Sequence, residues 1–344
     1  MKKVLYISHY NEGSTSRMRG EYLRQILGGS DFKVINTDVP MEKTGRLSKS
    51  LGWRYKIGPF ISNINNYIVD SLQGDFNYDL VWIDKGVFIK PSVIAELKKN
   101  SGILVHFTPD PAFAYHRSKL FFEALPLYDV CITTKSFEVD NYQSYGVRTI
   151  LCTQGYDPAL HKPYHKFEEK SGIVFIGHVE EERAEMVARI VEADLPITVA
   201  GNHWDKFCKK YPNKSNLVYG GVAIYGVDYA RELSKAKMGL GFLSKWIPEL
   251  HTTRTFEIPA CGTALLTERN QEIGSIFRDE EVIYFSDSFN LVQKVKYFLA
   301  HPAELRELTG KGHARVQEGG FTYYQIMRKL VEEVNVSDAR RIST

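Results

Sequence analysis

This sequence predicts an α/β protein of two tandem doubly wound domains, and three observations lead there. Short β-branched runs alternate with helical patterns along the chain, the alternation restarts after a turn-rich segment near residue 155, and 344 residues exceed what one core usually supports.

The first run, Lys3–Ser8, is bounded by a polar loop. Ser16–Leu27 then carries Met18, Tyr22, Leu23, Ile26 and Leu27 at helical spacing, and Gly28-Gly29 stops it. Phe32–Ile35, Leu80–Ile83, Ile103–Phe107, Val130–Thr133 and Thr149–Leu151 repeat the strand pattern. Helical patterns at Ile61–Leu72, Pro91–Lys98 and Phe137–Tyr145 lie between them, an order that gives a parallel sheet covered on both faces.

Gln154 to Pro163 reads as an interdomain linker. The second series of strands is Ile173–Ile176, Ile197–Ala200, Leu217–Tyr219, Met238–Phe242, Ala264–Thr267 and Val282–Phe285. Its helices fall near Arg183–Glu192, Asp228–Lys235, Thr253–Ala260 and Gln271–Phe277, and Tyr323, Tyr324, Ile326, Met327 and Leu330 make a final amphipathic helix. The expected domains are residues 1–155 and 156–320, with the last helix at 321–336 and a flexible tail at 337–344. Tandem domains of this kind are expected to face each other across a cleft lined by the carboxyl ends of their strands.

Composition narrows the function classes. Hydrophobic residues make up 43% and no apolar run approaches the ~20 residues of a membrane helix. The opening MKKVLYISHYNEG has too short an apolar stretch for a secretory signal. Cys131, Cys152, Cys208 and Cys261 lack CxxC spacing, so neither a zinc site nor a disulfide framework is expected, and reduced cytoplasmic thiols are. A net charge of +3 argues against a dedicated nucleic-acid binder, although five cations and no acid fall between Lys43 and Lys56.

The most informative stretch is Thr252–Thr267, TTRTFEIPACGTALLT. Arg254 and Glu257 stand three apart at a helix start, so both project from one face, a cation for phosphate and a carboxylate for hydroxyls. That pair suits a nucleotide sugar. RTFEIPACGTALLT, followed by a helix and EVIYFSD, resembles the C-terminal signature of the GT-B glycosyltransferases. It resembles most the bacterial spore-coat-maturation-like branch of the retaining nucleotide-sugar (group 1) enzymes. The resemblance is strongest from about Ile173 to Tyr324.

The resemblance implies two Rossmann-like domains facing a cleft, the first holding an acceptor and the second a nucleoside-diphosphate sugar, with the last helix crossing back to the first domain. Glu257 takes the place of the carboxylate that binds ribose hydroxyls; the plain alternative is a carboxylate complementing the helix dipole. Glu249, eight positions earlier, matches the family's first glutamate, or is a solvated loop residue. Arg254 would hold the diphosphate as charge leaves the sugar, against a surface cation as the alternative. His251, Thr252 and Thr253 would donate to the same phosphate.

Gly177, His178 and Arg183 follow a strand and suit close approach of the β-phosphate, although Arg183 could equally pair with Glu180 on the helix surface. Asn202, His203 and Trp204 resemble a nucleobase loop, with packing as the other reading of Trp204. On the acceptor side, Asn11, Gly13, Ser14 and Arg17 sit on the loop after the first strand, where Ser14 or Ser16 could simply cap the helix. This loop lacks GxGxxG, which disfavours a dinucleotide dehydrogenase.

His106 and Asp110, after the strand Ile103–Phe107, are the titratable groups placed for general-base work, against a structural histidine and an Asp-Pro turn. Lys135 and Glu138 are further candidates. Neither an Asp-x-Asp tripeptide nor a His/Cys/Asp cluster occurs, so no metal and no cofactor is expected. Lys43–Phe60 interleaves cations with Leu47, Leu51, Trp53, Tyr55 and Phe60, which suits either peripheral contact with an anionic membrane at its inner face or a mobile loop with a solvated basic face.

The expected activity is sugar transfer to a hydroxyl on a carbohydrate or lipid-linked acceptor in bacterial surface polysaccharide or glycoconjugate synthesis, with retention. The alternatives are a nucleotide-sugar epimerase or phosphorylase on the same fold, or a non-catalytic binding scaffold.

Overall fold

The structure, a computed structural model, describes residues 2–29, 31–72, 77–114 and 117–341. It divides into two compact units, Met1–Thr153 with Tyr324–Thr344, and Gln154–Tyr323.

The first unit contains β1 (Val4–Ser8), β2 (Phe32–Asn36), β3 (Tyr78–Asp84), β4 (Ser101–Thr108), β5 (Val130–Thr133) and β6 (Arg148–Leu151). They form one parallel sheet in the order β2-β1-β3-β4-β5-β6. All five residues of β1 and all four of β5 are buried, because helices cover both faces; a strand wet on neither side reads as a continuous apolar run. The covering helices are α1 (Thr15–Leu27), α2 (Asp38–Glu42), α3 (Arg46–Tyr55), α4 (Pro59–Leu72), α5 (Pro91–Lys99), α6 (Lys119–Ala124) and α7 (Val139–Ser144).

The second unit contains β7 (Ile173–Ile176), β8 (Ile197–Ala200), β9 (Leu217–Tyr219), β10 (Met238–Leu240), β11 (Ala264–Glu268) and β12 (Ile283–Phe285). Their order, β12-β11-β10-β7-β8-β9, reverses direction between β7 and β10, which is the switch point of a doubly wound sheet. Its helices are α8 (Glu181–Glu192), α9 (Trp204–Cys208), α10 (Gly226–Lys235), α11 (Arg254–Ala260), α12 (Gln271–Ile276), α13 (Ser288–Ala300) and α14 (Pro302–Glu318). Alternate residues of β7 feed two cores: Ile173 and Phe175 pack with Val187, Trp204 and Leu240, while Val174 and Ile176 pack with Phe256, Ile258 and Leu265.

The last helix, α15 (Tyr323–Arg341), returns to the first unit, where Tyr324 meets Tyr22 edge-on at 5.9 Å. It runs past residue 336, and of the tail expected at 337–344 only residues 342–344 lie outside the described residues. The segment read as a linker is folded onto the second unit: Tyr156 is buried, its N–H donates to the Phe321 carbonyl, and the Tyr323 N–H donates to the Tyr156 carbonyl. Residues 46–55, not among the helices expected from the sequence, form a helix that buries only Gly52, so its apolar residues turn outward instead of into the core.

At the carboxyl end of β3 a buried ion pair closes the first sheet. Arg19 Nε donates to Asp84 Oδ2 at 2.8 Å and its Nη2 to Oδ1 at 3.1 Å, while Tyr6 Oη and Ser16 Oγ also donate to the carboxylate. Burial is the largest influence and pushes the Asp84 pKa up, but Arg19, Lys85 and the Tyr6 hydroxyl together turn the net shift downward. Removing one partner leaves the other charged and buried, so Arg19→Met is expected to cost about 3–5 kcal/mol. Arg19→Met with Asp84→Leu should recover much of that loss in urea denaturation. A loss in the single variant no larger than an ordinary surface change would refute the pair's role.

Candidate active site

The switch point of the second sheet is built around glycine. Gly177 follows β7, and its N–H donates to the Ala200 carbonyl at 2.9 Å. Gly201, at φ +128°, lies so close that a Cβ there would fall on the Gly177 carbonyl oxygen, so no side chain fits. Trp204 Nε1 donates to the same oxygen at 2.8 Å. A Cβ on Gly177 itself would come within 2.9 Å of Phe175 and 3.5 Å of Arg254 Nη1, which places the Arg254 guanidinium against bare backbone.

Two guanidinium groups flank the Phe175 ring, Arg254 from the start of α11 at 5.8 Å and Arg183 from the first turn of α8 at 5.9 Å. Glu180, whose side chain is fully buried, holds Arg183 at 2.9 Å and also accepts from Ser244 Oγ and the Lys245 N–H. Burial, then repulsion from Arg254, push the Arg183 pKa down to about 10. The Nε atoms of both arginines are buried without a hydrogen-bond partner. Two cations in one partly dry pocket, each with an idle donor, make a place where an anion would relieve strain in the electrostatics.

Glu257 lies one turn beyond Arg254 in α11. Its Oε2 accepts from Tyr229 Oη at 2.7 Å, and its Oε1 faces His161 Nε2 at 3.7 Å. The Asp157 N–H donates to His161 Nδ1, so the proton of a neutral His161 sits on Nε2, directed at Glu257. Glu249 is half-buried on the loop after β10, accepts from the Ser244 N–H at 3.2 Å, and contributes to holding Arg183 charged. Arg183, Arg254 and Gly177 therefore converge, with Glu249 and Glu257 bordering them. His178 sits beside them half-exposed, 3.0 Å from Glu180, its pKa pushed down by burial and by Arg183. Asn202 is exposed and its carbonyl accepts from the Val179 N–H.

Several expected ligands have other duties. His251 is buried: the Gln154 N–H donates to its Nε2 at 3.1 Å, which leaves the proton on Nδ1, 2.5 Å from Glu272, so neither nitrogen is open to phosphate. The Thr252 N–H is taken by Thr255 Oγ1, while its own buried hydroxyl lacks a partner. Thr253 is the N-cap of α11 without a side-chain cap bond. Trp204 is wholly buried against Phe175 and Phe207, so its ring has no face for a base to stack on.

In the first unit, His106 is fully buried between Phe121 and Tyr128, and burial pushes its pKa down to about 3. Its Nε2 accepts from the Gly86 N–H, so the imidazole is a core group with no route to an acceptor hydroxyl. Asp110 is ion-paired with Lys85 at 2.8 Å. Glu138, buried, accepts the N–H groups of Ala112, Phe113 and Ala114 and thereby fixes that loop, and Lys135 is buried beside it in sequence.

Asn11 donates to Glu42 and offers its N–H to Asp38; Gly13 adopts φ +79° in open space; Ser14 caps α1 through the Arg17 N–H; and Arg17 lies over the Tyr10 ring. His161, Tyr229 and Ser244 are candidate site residues that sequence reasoning missed, and the pairing of Arg183 with Glu180, offered there as a helix-surface contact, is present but buried. Only Glu180, three before Arg183, carried a local signal. Among the described residues no cluster of His, Cys, Asp or Glu could hold a metal ion.

This geometry can be set beside known proteins. Sucrose-phosphate synthase from Thermosynechococcus elongatus superposes with a TM-score of 0.70 at 14% identity, covering 99% of this chain and 100% of that one. Anabaena HepE in complex with UDP and glucose gives 0.65 at 12%, covering 98% and 100%. A glycosyltransferase from Rickettsia africae gives 0.64 at 12%, covering 96% and 97%. The fold is therefore that of the GT-B glycosyltransferases. Residues 182–332, which include Arg183, Arg254 and Glu257, match the family described as glycosyl transferase-like. The chain thus has the GT-B fold, and a glycosyl transferase-like match covers most of its second unit. No curated protein matches it in sequence.

Lys170 fixes the far end of α11. Its buried ammonium donates to the Cys261 carbonyl and to Thr263 Oγ1, both at 3.2 Å, with no carboxylate among those partners. Burial pushes its pKa from 10.5 down to about 8. Below pH 8 the lysine is protonated whether the chain is folded or not, and the folded state bears the full cost of the buried charge. As pH rises from about 8 to 10.5, only the folded state gives up the proton, so stability rises by at most roughly 3 kcal/mol. Chemical denaturation across that window should show this gain in the native protein and its absence in Lys170→Met. Parallel pH profiles would refute it.

Proposed function

We propose that this glycosyltransferase takes its sugar from a nucleoside diphosphate donor bound at the switch point of the second sheet. The observation that carries the proposal is the pair Arg183 and Arg254, flanking Phe175 beside the bare backbone of Gly177. Guanidinium forks suit diphosphate oxygens, and their fixed charge would stabilise the leaving group as the glycosidic bond breaks. Glu257, held by Tyr229 within reach of Arg254's end of α11, offers carboxylate oxygens to a ribose diol. UDP is the first nucleotide to test, since the HepE structures contain UDP and UDP-glucose.

The transfer proceeds with retention and without a metal, the arginines neutralising the departing diphosphate while it assists attack on the same face. Two placements support this: His106 is buried in the core and Asp110 is committed to Lys85, so neither expected base is poised to take a proton. The acceptor is a hydroxyl on a carbohydrate or lipid-linked molecule of bacterial surface polysaccharide or glycoconjugate synthesis, supported by the likeness of the RTFEIPACGTALLT stretch to the bacterial branch. The four free thiols fit a reducing, cytoplasmic setting.

Thermal-shift measurements with UDP, GDP, ADP, CMP and dTDP test the reading. A ligand at a hundred times its Kd adds about 2.7 kcal/mol to stability, and one diphosphate should do so. Arg254→Ala and Glu257→Ala should each abolish the shift, and release of that nucleotide from its sugar should depend on a hydroxyl acceptor. Silence toward every nucleotide would overturn the proposal.

A further inference from the structure

Helix α3 is built unlike the other long helices of the first unit. Of its ten residues only Gly52 is buried, because a Cβ there would strike Phe60. Trp53 packs its ring at 4.9 Å from Phe88, and Lys56 lies over that same Phe88 ring at 4.6 Å, so these two residues clamp the helix to the unit. Phe60, expected in the sequence to join an interfacial surface, is instead fully buried. What remains outside is apolar: Leu47 is 84% exposed, Leu51 56%, Tyr55 55% and Ile57 65%. Leu47, Leu51 and Tyr55 are spaced by four, so they form one stripe along a single flank.

Exposed cations share the segment with the stripe, and Arg54 stands on its flank, three residues from Leu51. Lys43, Arg46, Lys49 and Arg54 are all exposed, and no acid occurs between Lys43 and Phe60. The two acids just upstream are engaged elsewhere, Asp38 with His9 and Glu42 with Asn11. A net charge of +3 for the whole chain makes this segment an island of positive charge. Exposed leucines interleaved with cations require a partner that offers negative charge and an apolar interior together. Nucleic acid offers the charge alone. A folded partner would need a surface shaped to a protruding helix, whereas a bilayer bearing anionic lipids accepts side chains of any relief.

We propose that α3 lies on an anionic lipid bilayer, with Leu47, Leu51 and Ile57 entering the acyl boundary and Lys43, Arg46 and Arg54 meeting the headgroups. The surface is separate from the donor site and does not depend on the donor reading. Among the described residues no helix is long and apolar enough to cross a membrane, so contact through α3 is peripheral.

The test is sedimentation of the full chain with vesicles of phosphatidylcholine alone and with about 30 mol% phosphatidylglycerol, where anionic lipid should tighten binding at least tenfold. Arg46→Glu with Arg54→Glu should remove that preference. Leu47→Ser with Leu51→Ser should weaken binding by about tenfold or more, since two leucine side chains leave the acyl region. These positions are exposed, so thermal midpoints and any nucleotide shift should match the native protein. Reversing Lys209 and Lys210, exposed cations of the second unit, should change nothing. Equal binding to neutral vesicles would overturn the proposal. So would anionic binding that survives both α3 variants or is lost on reversing Lys209 and Lys210, or a dimer in solution that the leucine variants dissociate.

Discussion

Two like charges share one aromatic ring at the end of β7, and the arrangement of the second unit follows from the need to keep them there. Arg183 and Arg254 repel, and each lies in a region where water cannot screen it fully. Glu180 offsets the first charge while binding the loop after β10 through Ser244 and Lys245, so one carboxylate ties α8, β7's end and that loop together. The second charge depends on where α11 begins, and α11 is fixed at its other end by Lys170 at the Cys261 carbonyl and by His313 at the Pro259 carbonyl. His251, bridging the Gln154 N–H and Glu272, anchors the chain just before the helix. A single rotated guanidinium would undo the purpose of all these ties.

Much of this could be read in the sequence, and what could not has identifiable physical causes. The twelve strands among the described residues lie where apolar runs place them, because a parallel sheet covered on both faces demands such runs. Helices α2, α6 and α9 went unread because they are short, and α3 because its apolar residues face outward; α13 and α14 also went unread, although Leu291 with Val295 and Leu305 with Leu308 stand at helical spacing. Arg254 and Gly177 were legible as candidate site residues because a motif and a strand end fix their backbone. His106, His251 and Trp204 were not, since position after a strand says nothing of which way a side chain turns. His106 lies at strand register with Cys131 and Ile83, deep among apolar neighbours, and Trp204 spends its one donor on Gly177. Contacts such as Glu257 with Tyr229 or His161 join residues far apart in sequence, and no local pattern announces them.

The two sheets treat their switch points in opposite ways. In the first, the direction changes between β1 and β3, and the space is filled by the protein itself: Asp84 takes donors from Arg19, Tyr6 and Ser16. The cavity left there measures about 10 Å³, room for about one water. In the second, the change falls between β7 and β10, and the residue after β7 is a glycine with no side chain to fill the gap. Around it stand arginines whose Nε donors are unspent, rather than an arginine already satisfied by a buried aspartate. Both sheets thus bring a guanidinium to the same topological position. In the second, Glu180 meets Arg183 from one side while the Nε donors of both arginines stay unspent, which is where the proposed diphosphate would sit.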